Sequence, residues 1–250
     1  LMNTIRRASE LSTRSNESDP LGIIVDGMVV LPTTRSSMDQ DNRILLSSMF
    51  EFASKSFGEF KNLGKNDQWM LVRNFFPFIH VLDSEYRMLT LLPEKETMCF
   101  TSYSTYFDYE TIPRYVADTE SEQNRNDATR LFITHLETEV RQSRSMMRRW
   151  NPTEQEFIAF LGIAFWTLDK INASEKINRI ADKYRRLLML ELDRLYRTSL
   201  NLENYSSRMG EAMIYLDSIQ RGFAEMRSKI GVLKLLDVID EDMLMAQFHI

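Results

Sequence analysis

The sequence predicts an all-α domain with one small β-hairpin, and three observations support this prediction. Glycine and proline are scarce, at 8 and 6 residues of 250, so long helices can run with few breaks. From residue 43 onwards, apolar residues recur at helical spacing along most of the chain. Helical spacing is lost between residues 91 and 103, where residues 93–96 predict a turn between two short extended segments. We therefore expect the hairpin at residues 91–102.

The first part of the chain differs in composition from the rest. Residues 1–12 are weakly helical in pattern, whereas residues 13–42 are rich in Ser, Thr, Asn and Asp. These residue types favour turns, so we expect a loop there, with the apolar stretch at 22–31 docked on the body. Residues 1–39 are thus predicted as an N-terminal helix, loop and hinge, and residues 40–250 as the helical domain.

The first two helices of the domain are visible in the spacing of their apolar residues. Leu45, Met49 and Phe52 lie on one face of a helix that begins at about residue 43. The next helix, at 68–92, is apolar on most sides, which indicates a helix buried in the middle of a bundle. Pro77 lies inside it and should kink it or mark a junction.

The second half of the chain predicts four more helices. One spans about residues 126–148. A helix start signal follows at residues 151–154, with Asn151 as the cap and a proline in the first turn. Two long helices then fill about residues 173–198 and 203–230.

Charge and hydropathy exclude two classes of partner. The net charge is −5 and basic residues form only short runs, whereas nucleic-acid binding needs clustered cations. We therefore expect no nucleic acid to bind to this chain itself. No segment reaches the ~18 consecutive apolar residues of a membrane-spanning helix, so we expect no membrane partner either.

Patterns typical of catalytic and metal sites are absent from the sequence. Cys99 is the single cysteine, and the histidines His80, His135 and His249 are far apart, so no metal-ligand spacing occurs. There is no Gly-rich phosphate loop and no nucleophile elbow. We therefore predict that the protein is not an enzyme and holds no metal and no cofactor. A helical enzyme whose site is assembled only by the fold stays open as an alternative.

One segment resembles the signature of a known family. Between residues 52 and 73, a helix containing Lys55 leads into Phe60-Lys-Asn-Leu63, then a polar turn and Asp67-Gln68, and a second helix follows. This pattern resembles the signature of the ligand-binding domain of nuclear hormone receptors. In that family the basic residues of the signature hold one end of a coactivator helix.

Three weaker similarities extend the resemblance over about residues 40–250. The run at 85–88 stands where the family has an Arg-containing patch late in its central helix, and residues 151–157 resemble the start of its eighth helix. The apolar segment at 243–248 stands in the place of the family's mobile activation helix, at about 241–248. The aromatic residues Phe107-x-Tyr109 and Phe165-Trp166 are similar to those of the expanded nematode branch of the family. That branch is related to the hepatocyte nuclear factor 4 receptors.

The resemblance implies a fold, a function and a set of partners. The fold is a three-layer helical sandwich with one small β-hairpin. The function is regulation of transcription in the nucleus by a small lipophilic ligand, for example a fatty acid, which biases the position of the last helix. That helix completes a groove for a coactivator or corepressor helix. A zinc-dependent DNA-binding module would precede residue 1.

A dimer is also implied by the resemblance. The long helix at about 203–230 often makes a homo- or heterodimer interface in this family. Apolar residues there, such as Ile214 and Phe223, would serve either the dimer or the core.

Two sets of residues are candidates for the ligand site. By resemblance, the guanidinium of Arg87 would pair with a ligand carboxylate; the alternative is a structural ion pair with Asp83 or Glu85. Methionine and phenylalanine are abundant, which suits a lipophilic cavity as well as a plain helical core. The apolar candidates would form either the cavity wall or tight core: Leu45, Met49, Phe52, Met88, Leu91, Phe100, Met213 and Leu216.

The coregulator groove would combine basic residues of the signature with the terminal helix. By resemblance, Lys55 would bind the C-terminal end of a docked helix, where the helix dipole favours a cation, and Arg73 would line the same groove. The alternative is that these are two exposed basic residues without a partner helix. The terminal helix would contribute Met243, Leu244, Gln247 and Phe248.

The terminal helix departs from the family pattern. Where the pattern has a Glu, this sequence has Ala246 or, with a one-residue shift, Gln247. The anionic half of the coactivator clamp is therefore missing unless Glu241 or Asp242 substitutes for it. This departure implies a weakened, constitutive or repressing receptor. An orphan module with a filled pocket, which works only through dimer and corepressor contacts, is the alternative function.

Overall fold

The computed structural model describes residues 19–168, 173–244 and 246. The predicted helix at 1–12 and the groove residues Gln247 and Phe248 lie outside the described residues. The strands are β1 (Ile23–Val25), β2 (Met28–Pro32), β3 (Cys99–Phe100) and β4 (Thr105–Phe107). The α-helices are α1 (Arg35–Ser56), α2 (Lys65–Leu91), α3 (Ile112–Tyr115), α4 (Glu122–His135), α5 (Arg141–Trp150), α6 (Glu154–Phe165), α7 (Glu175–Arg194) and α8 (Ser206–Leu235). A 3₁₀ turn (Phe60–Asn62) and two π-helical segments (Leu136–Val140 and Leu195–Ser199) connect them.

Helix α1 begins earlier than the spacing of its apolar residues predicts, at Arg35. Thr34 caps it, because the Ser37 backbone N–H donates to Thr34 Oγ1 at 3.2 Å and the Thr34 N–H donates to Ser37 Oγ at 2.9 Å. This reciprocal pair satisfies two backbone donors that a helix start leaves open. The cap therefore extends α1 through a polar stretch that apolar periodicity does not reveal.

Helix α2 is the buried middle element of the domain, as the sequence predicts. It runs for 27 residues and packs against α1, α5, α6, α8 and β3. Pro77 lies inside the helix without ending it. Buried residues lie on several sides of α2 and include Leu71, Phe75, Ile79 and Leu82.

A four-stranded sheet with the order β1-β2-β4-β3 replaces the single hairpin that the sequence predicts. Strands β3 and β4 form an antiparallel hairpin with Cys99 opposite Phe107, so this hairpin lies later in the chain than residues 91–102. Its turn uses residues 101–104 instead of 93–96. The prediction placed the turn at the only proline in this stretch, whereas that proline follows directly on the end of α2.

The other two strands come from the apolar stretch that the sequence predicts as a docked loop. Asp26 (φ 50°) and Gly27 (φ 74°) make the tight turn between β1 and β2. Positive φ at both central residues is typical of the two-residue turn that fits the twist of antiparallel strands. Strand β2 then runs parallel to β4, with Leu31 opposite Thr105, so the N-terminal hairpin joins the β3–β4 hairpin in one sheet.

The start signal at residues 151–154 serves two helices. Asn151 ends α5 in a left-handed conformation (φ 43°) and is not the cap that the sequence predicts. The cap of α6 is Thr153, whose Oγ1 accepts from the Glu156 N–H at 3.3 Å, while Glu156 Oε2 accepts from the Thr153 N–H at 2.7 Å. Asparagine tolerates the left-handed region better than most residues, and threonine with a glutamate three residues later forms a capping box.

Two apolar clusters in the interior matter for the site. The larger surrounds α2 and contains many aromatic side chains, among them Phe75, Phe160 and Trp166. The smaller joins β4, α3, α4 and the C-terminal part of α8, through residues such as Ile112 and Leu233. Helices dominate and strands form one small sheet, so the predicted fold class is confirmed.

Candidate ligand-binding site

A cavity of about 190 Å³ lies between the β3–β4 hairpin, α3, α4 and the C-terminal part of α8. Helices α1 and α2 complete its wall through Met38, Phe76 and Pro77. Most of the wall is apolar and includes Phe107, Ile112, Leu131, Phe132, Ile230 and Leu233. Concave, mostly apolar spaces with a few polar groups are the usual form of small-molecule sites.

Three aromatic rings form one side of the cavity. Phe107 of β4, Tyr115 of α3 and Phe132 of α4 contact one another, with ring centroids 5.0, 5.6 and 5.4 Å apart. Edge-to-face and tilted pairs at these distances are favourable beyond the area they bury. The three rings therefore hold this side of the wall in place.

Polar side chains also line the cavity, among them His80, Thr101, His135 and Lys229. His80 Nε2 and Asn42 Oδ1 are 2.8 Å apart, so the imidazole is held by a hydrogen bond to α1. Thr101 Oγ1 is hydrogen-bonded to Thr105 Oγ1 at 2.8 Å within the hairpin.

His135 and Lys229 share one carboxylate. Glu139, in the π-helical segment, is hydrogen-bonded to His135 Nδ1 and forms an ion pair with Lys229 Nζ. Partial burial raises the pKa of Glu139, but the hydrogen bonds from His135 and Lys229 outweigh it and lower the pKa to about 2. Glu139 therefore stays ionised and neutralises the cation at this wall. Among the described residues, no group of three or more His, Cys, Asp or Glu is placed to hold a metal ion.

The segment after α8 forms part of the same wall. Ile239 lines the cavity together with Leu233 of the last turns of α8. Farther on, the Leu244 N–H donates to Asp39 Oδ1 at 2.9 Å, which fixes the segment to α1. Partial burial raises the pKa of Asp39, but the hydrogen bonds from Leu244 and Arg43 outweigh it, so the pKa lies below its usual value. Any molecule in the cavity therefore touches the segment that leads to the C-terminus.

Arg87 is engaged inside the protein. Its Nε donates to Asp83 Oδ2 at 2.8 Å, and its guanidinium lies 4.4 Å from the ring centroid of Phe100 and 4.2 Å from that of Tyr103. Of the alternatives that the sequence leaves open, the geometry is that of the ion pair with Asp83. Arg87 is not among the residues that line the cavity; Phe100 lines it instead.

The other predicted wall residues lie elsewhere. Met49, Phe52 and Leu216 pack in the larger cluster around α2, and Met88 packs beneath the N-terminal hairpin. Leu45 lines a narrow space of about 20 Å³ beside Arg87. Leu91 is 39% exposed and lines, with Arg87 and Phe100, another space of about 310 Å³ beside the N-terminal hairpin. Met213 is 40% exposed on the surface. Helical spacing shows that a face is buried, but not whether that face meets another helix or an open space.

Of the predicted groove residues that the structure describes, Lys55 lies on α1, Arg73 on α2, and Met243 and Leu244 in the terminal segment. Lys55 is exposed at the end of α1, where it pairs with Glu51 at 2.5 Å, and Arg73 is exposed on α2. Between these helices the ring of Trp69 contacts that of Phe50 edge-on, with ring centroids 5.0 Å apart. The Trp69 side chain remains half exposed. Met243 is half-buried and Leu244 is buried; both lie beside Asp39, in the first turns of α1, and not at the end of that helix where Lys55 lies.

A buried ion pair that the sequence does not reveal lies beside strand β3, which contributes to the cavity wall. Arg144 of α5 is 1% exposed and donates from Nε to Glu85 Oε2 at 2.9 Å. It also donates to the backbone carbonyls of Lys95 and of Met98, the latter at 2.7 Å. This single guanidinium therefore connects α5, α2 and the segment that leads into β3. No sequence signal identifies the pair, because its partners are 59 positions apart.

Comparisons with known proteins agree with this architecture. A family model of the ligand-binding domain of nuclear hormone receptor matches residues 43–236. Nuclear hormone receptor family member nhr-43 of Caenorhabditis elegans is 26% identical over 228 residues, which cover 88% of this chain and 50% of that protein. Nuclear hormone receptor family member nhr-28 of the same organism is 22% identical over 186 residues, covering 74% of this chain and 42% of that protein.

A solved structure shows the same fold. The Ultraspiracle ligand binding domain from Drosophila melanogaster superposes with a TM-score of 0.62 at 15% identity, covering 99% of this chain and 95% of that one. The chain belongs to the nuclear hormone receptor family, whose ligand-binding domain it contains. It spans about half the length of the curated relatives it matches.

Membership confirms several predictions made from the sequence. The resemblance to this family is correct. The two relatives come from a nematode, which agrees with the branch that the aromatic residues of the sequence resemble. Proteins of this family are receptors rather than enzymes, regulate transcription and are typically nuclear. Within the described residues, no helix combines the length and the apolar composition that crossing a bilayer requires.

Proposed function

We propose that this domain binds a small lipophilic ligand in the cavity and regulates transcription through the segment that follows α8. The observation that carries the proposal is the composition of the cavity wall. This wall is formed by the β3–β4 hairpin and α3 on one side and by Leu233 and Ile239 on the other. Leu233 belongs to the end of α8, and Ile239 to the segment after it. A ligand that fills the space between them stabilises one position of that segment, because it binds that position better than others.

The size of the cavity limits the ligand. About 190 Å³ lies below the range of about 300–1,000 Å³ that is usual for drug-sized ligands. A ligand such as the predicted fatty acid therefore needs the cavity to widen or to continue into a neighbouring space. This small volume is also what an orphan module with a filled pocket would have, and that is the second candidate function.

The coregulator groove is proposed at the surface formed by the end of α1 and the start of α2. Lys55 and Arg73 supply cations there, and the half-exposed ring of Trp69 supplies apolar area. A docked helix would place its C-terminal carbonyls at Lys55. Ala246, at the position of the family's Glu, is buried and carries no charge, so we propose that this groove depends on the cationic end more than on a two-sided clamp.

A reporter assay tests the function directly. The chain is fused to a heterologous DNA-binding domain in cells, and Leu131→Trp fills the cavity that Leu131 lines. Leu187→Trp is the matched control, because Leu187 is partly exposed on α7, away from the cavity. We expect Leu131→Trp to abolish the change in reporter output that the parent chain causes, and Leu187→Trp to retain it. Identical output from Leu131→Trp and the parent chain would contradict ligand control and favour the orphan module.

Lys55→Glu tests the groove in the same assay. Reversing this charge removes the cation that holds the end of a docked helix. We expect a lower reporter response with an unchanged melting temperature, because Lys55 is exposed. An unchanged response would contradict the assignment of Lys55 to a coregulator groove.

We further propose that α8 mediates dimerisation. Ile214 is 53% exposed on this helix, whereas Phe223 packs on Phe78 with ring centroids 4.8 Å apart. Of these two residues, Ile214 is therefore the one available to a partner. In analytical ultracentrifugation we expect Ile214→Asp to convert a dimer into a monomer. Ile158→Asp, at an equally exposed position on α6, should remain dimeric; loss of the dimer in both variants or in neither would contradict the proposal.

A further inference from the structure

A second space adjoins the cavity. A groove of about 320 Å³ runs between α2, the π-helical segment with α5, and the middle of α8. His80, Cys99, Phe100, His135 and Met226 line both the cavity and the groove. These five side chains therefore form the boundary between an apolar inner space and a more polar outer one.

One hydroxyl group in the groove is buried and unsatisfied. Ser84 of α2 is 6% exposed and lines the groove, and its Oγ has no hydrogen-bond partner within the part of the chain that the structure describes. Serine in a helix commonly turns its hydroxyl back to the carbonyl four residues earlier, and Ser84 does not. Buried polar groups are nearly always hydrogen-bonded, so an exception that borders a groove is a candidate site for a partner from outside the chain, either water or a ligand.

The charges around the two spaces are already paired. Among the described residues that line the cavity and the groove, the lysine and arginine side chains are Lys229 and Arg221. Lys229 pairs with Glu139, and Arg221 pairs with Asp217 at 2.9 Å. Glu225 also lines the groove. The Arg221–Asp217 pair is largely exposed, whereas Ser84 is buried beside Glu85. A ligand carboxylate at Ser84 would therefore bury a charge among further carboxylates, and burying an uncompensated charge is very unfavourable.

We infer that the groove extends the ligand site and receives an uncharged hydroxyl group of the ligand at Ser84, while the apolar part of the ligand fills the cavity. This inference rests on the proposed function, because it concerns the far end of the same ligand. It replaces the carboxylate that the resemblance implies with a neutral polar group. It also accounts for the small volume of the cavity, because the ligand continues past the shared side chains into the groove.

Gly222 allows the groove to be closed selectively. It lines the groove from α8, and a Cβ added there would meet no atom within 4 Å. Leucine at position 222 therefore projects into open space. Gly210 on the same helix is equally open and lies outside both spaces, so Gly210→Leu is the matched control. Both changes remove a helix-weakening glycine, so neither should lower stability.

The experiment compares two probes with the same chain length, 1-decanol and decanoate, by isothermal titration calorimetry at pH 7, where the acid is ionised. We expect the alcohol to bind at least about tenfold more tightly to the unmodified chain, because the acid must bury an unpaired charge. Ser84→Ala should weaken the alcohol about threefold to tenfold, as loss of one neutral hydrogen bond does. Gly222→Leu should weaken it by at least as much, and Gly210→Leu should leave it unchanged.

Two results would overturn the inference. One is tighter or equal binding of decanoate; the other is unchanged binding of the alcohol to both Ser84→Ala and Gly222→Leu. If Leu131→Trp still abolishes binding in those cases, the cavity of the proposed function stands and only its extension into the groove is refuted. If neither probe binds the unmodified chain, the inference fails together with the proposed function.

Discussion

Removing the guanidinium of Arg144 should lower the stability of the domain substantially, because Arg144 is a member of a buried ion pair. In Arg144→Met, Glu85 loses its partner although it is 3% exposed and cannot be hydrated in place. Breaking a buried ion pair by removing one member destabilises a protein by about 3–5 kcal/mol. The carbonyls of Lys95 and Met98 lose their donor as well, so we expect the upper part of this range.

The assay is urea unfolding followed by circular dichroism. A loss of about 4–5 kcal/mol is a large part of the about 5–15 kcal/mol that stabilises a typical domain. Arg148→Met is the matched control on the same helix, since Arg148 is partly exposed and pairs with Glu96 at 3.3 Å. A surface pair of this kind contributes about 0–1 kcal/mol.

The double variant Glu85→Leu/Arg144→Met separates the lost pair from a general packing defect. Replacing both members of a buried ion pair by apolar residues is often nearly neutral, so most of the loss should be recovered. Burial raises the pKa of Glu85, so in Arg144→Met the loss should be smaller at low pH, where the carboxyl is protonated, and should grow as the pH rises. A single variant as stable as Arg148→Met, or a double variant no better than the single, would refute this reasoning.

Three other predictions concern the segment after α8, pH and Arg87. Asp39→Ala removes the acceptor of the Leu244 N–H, so hydrogen exchange of that amide should accelerate about tenfold; an unchanged rate would contradict this anchor. Because the pKa of Glu139 is about 2 in the folded chain and higher when unfolded, its contribution is present above about pH 4.5 and is lost as pH falls towards 2. The stability difference between the unmodified chain and Glu139→Gln should therefore shrink over that interval, and a constant difference would refute the linkage. Arg87→Met should retain a lipophilic ligand yet lose about 3 kcal/mol, because Asp83 stays buried without its partner; ligand loss in a fully stable variant would restore Arg87 to the ligand site.

The sequence predicts the order of the long helices well because most of them carry their own local signal, whereas α3 is too short to show one and the predicted helix at 126–148 is α4 and α5 joined by a π-helical segment. The apolar spacing of α2 and the signature from Lys55 to Asp67 depend on residues close together in the chain. The N-terminal hairpin also had such a signal, since Asp26-Gly27 between two apolar runs is typical of a two-residue hairpin turn. The polar residues on either side of this stretch favour a loop, and they outweigh the hairpin signal in a prediction from composition.

The cavity could not be located in the same way. Met49 and Phe100 are both apolar and buried, yet only Phe100 lines the cavity. The difference depends on where the β3–β4 hairpin and the end of α8 come to lie, which is a long-range property of the fold. The ion pairs of Glu85 and Arg87 illustrate the same limit. Arg87 pairs with Asp83, four residues earlier in the same helix, whereas Glu85 pairs with Arg144 of α5.

Native mass spectrometry of the purified chain, incubated with a lipid extract, tests the central claim most directly. The unmodified chain and Leu187→Trp should each carry one additional mass that organic solvent removes, and Leu131→Trp should not. That pattern would establish a ligand in the cavity and give its mass. A clean mass for the unmodified chain, or the same bound mass on Leu131→Trp, would contradict the claim that this cavity is a ligand site.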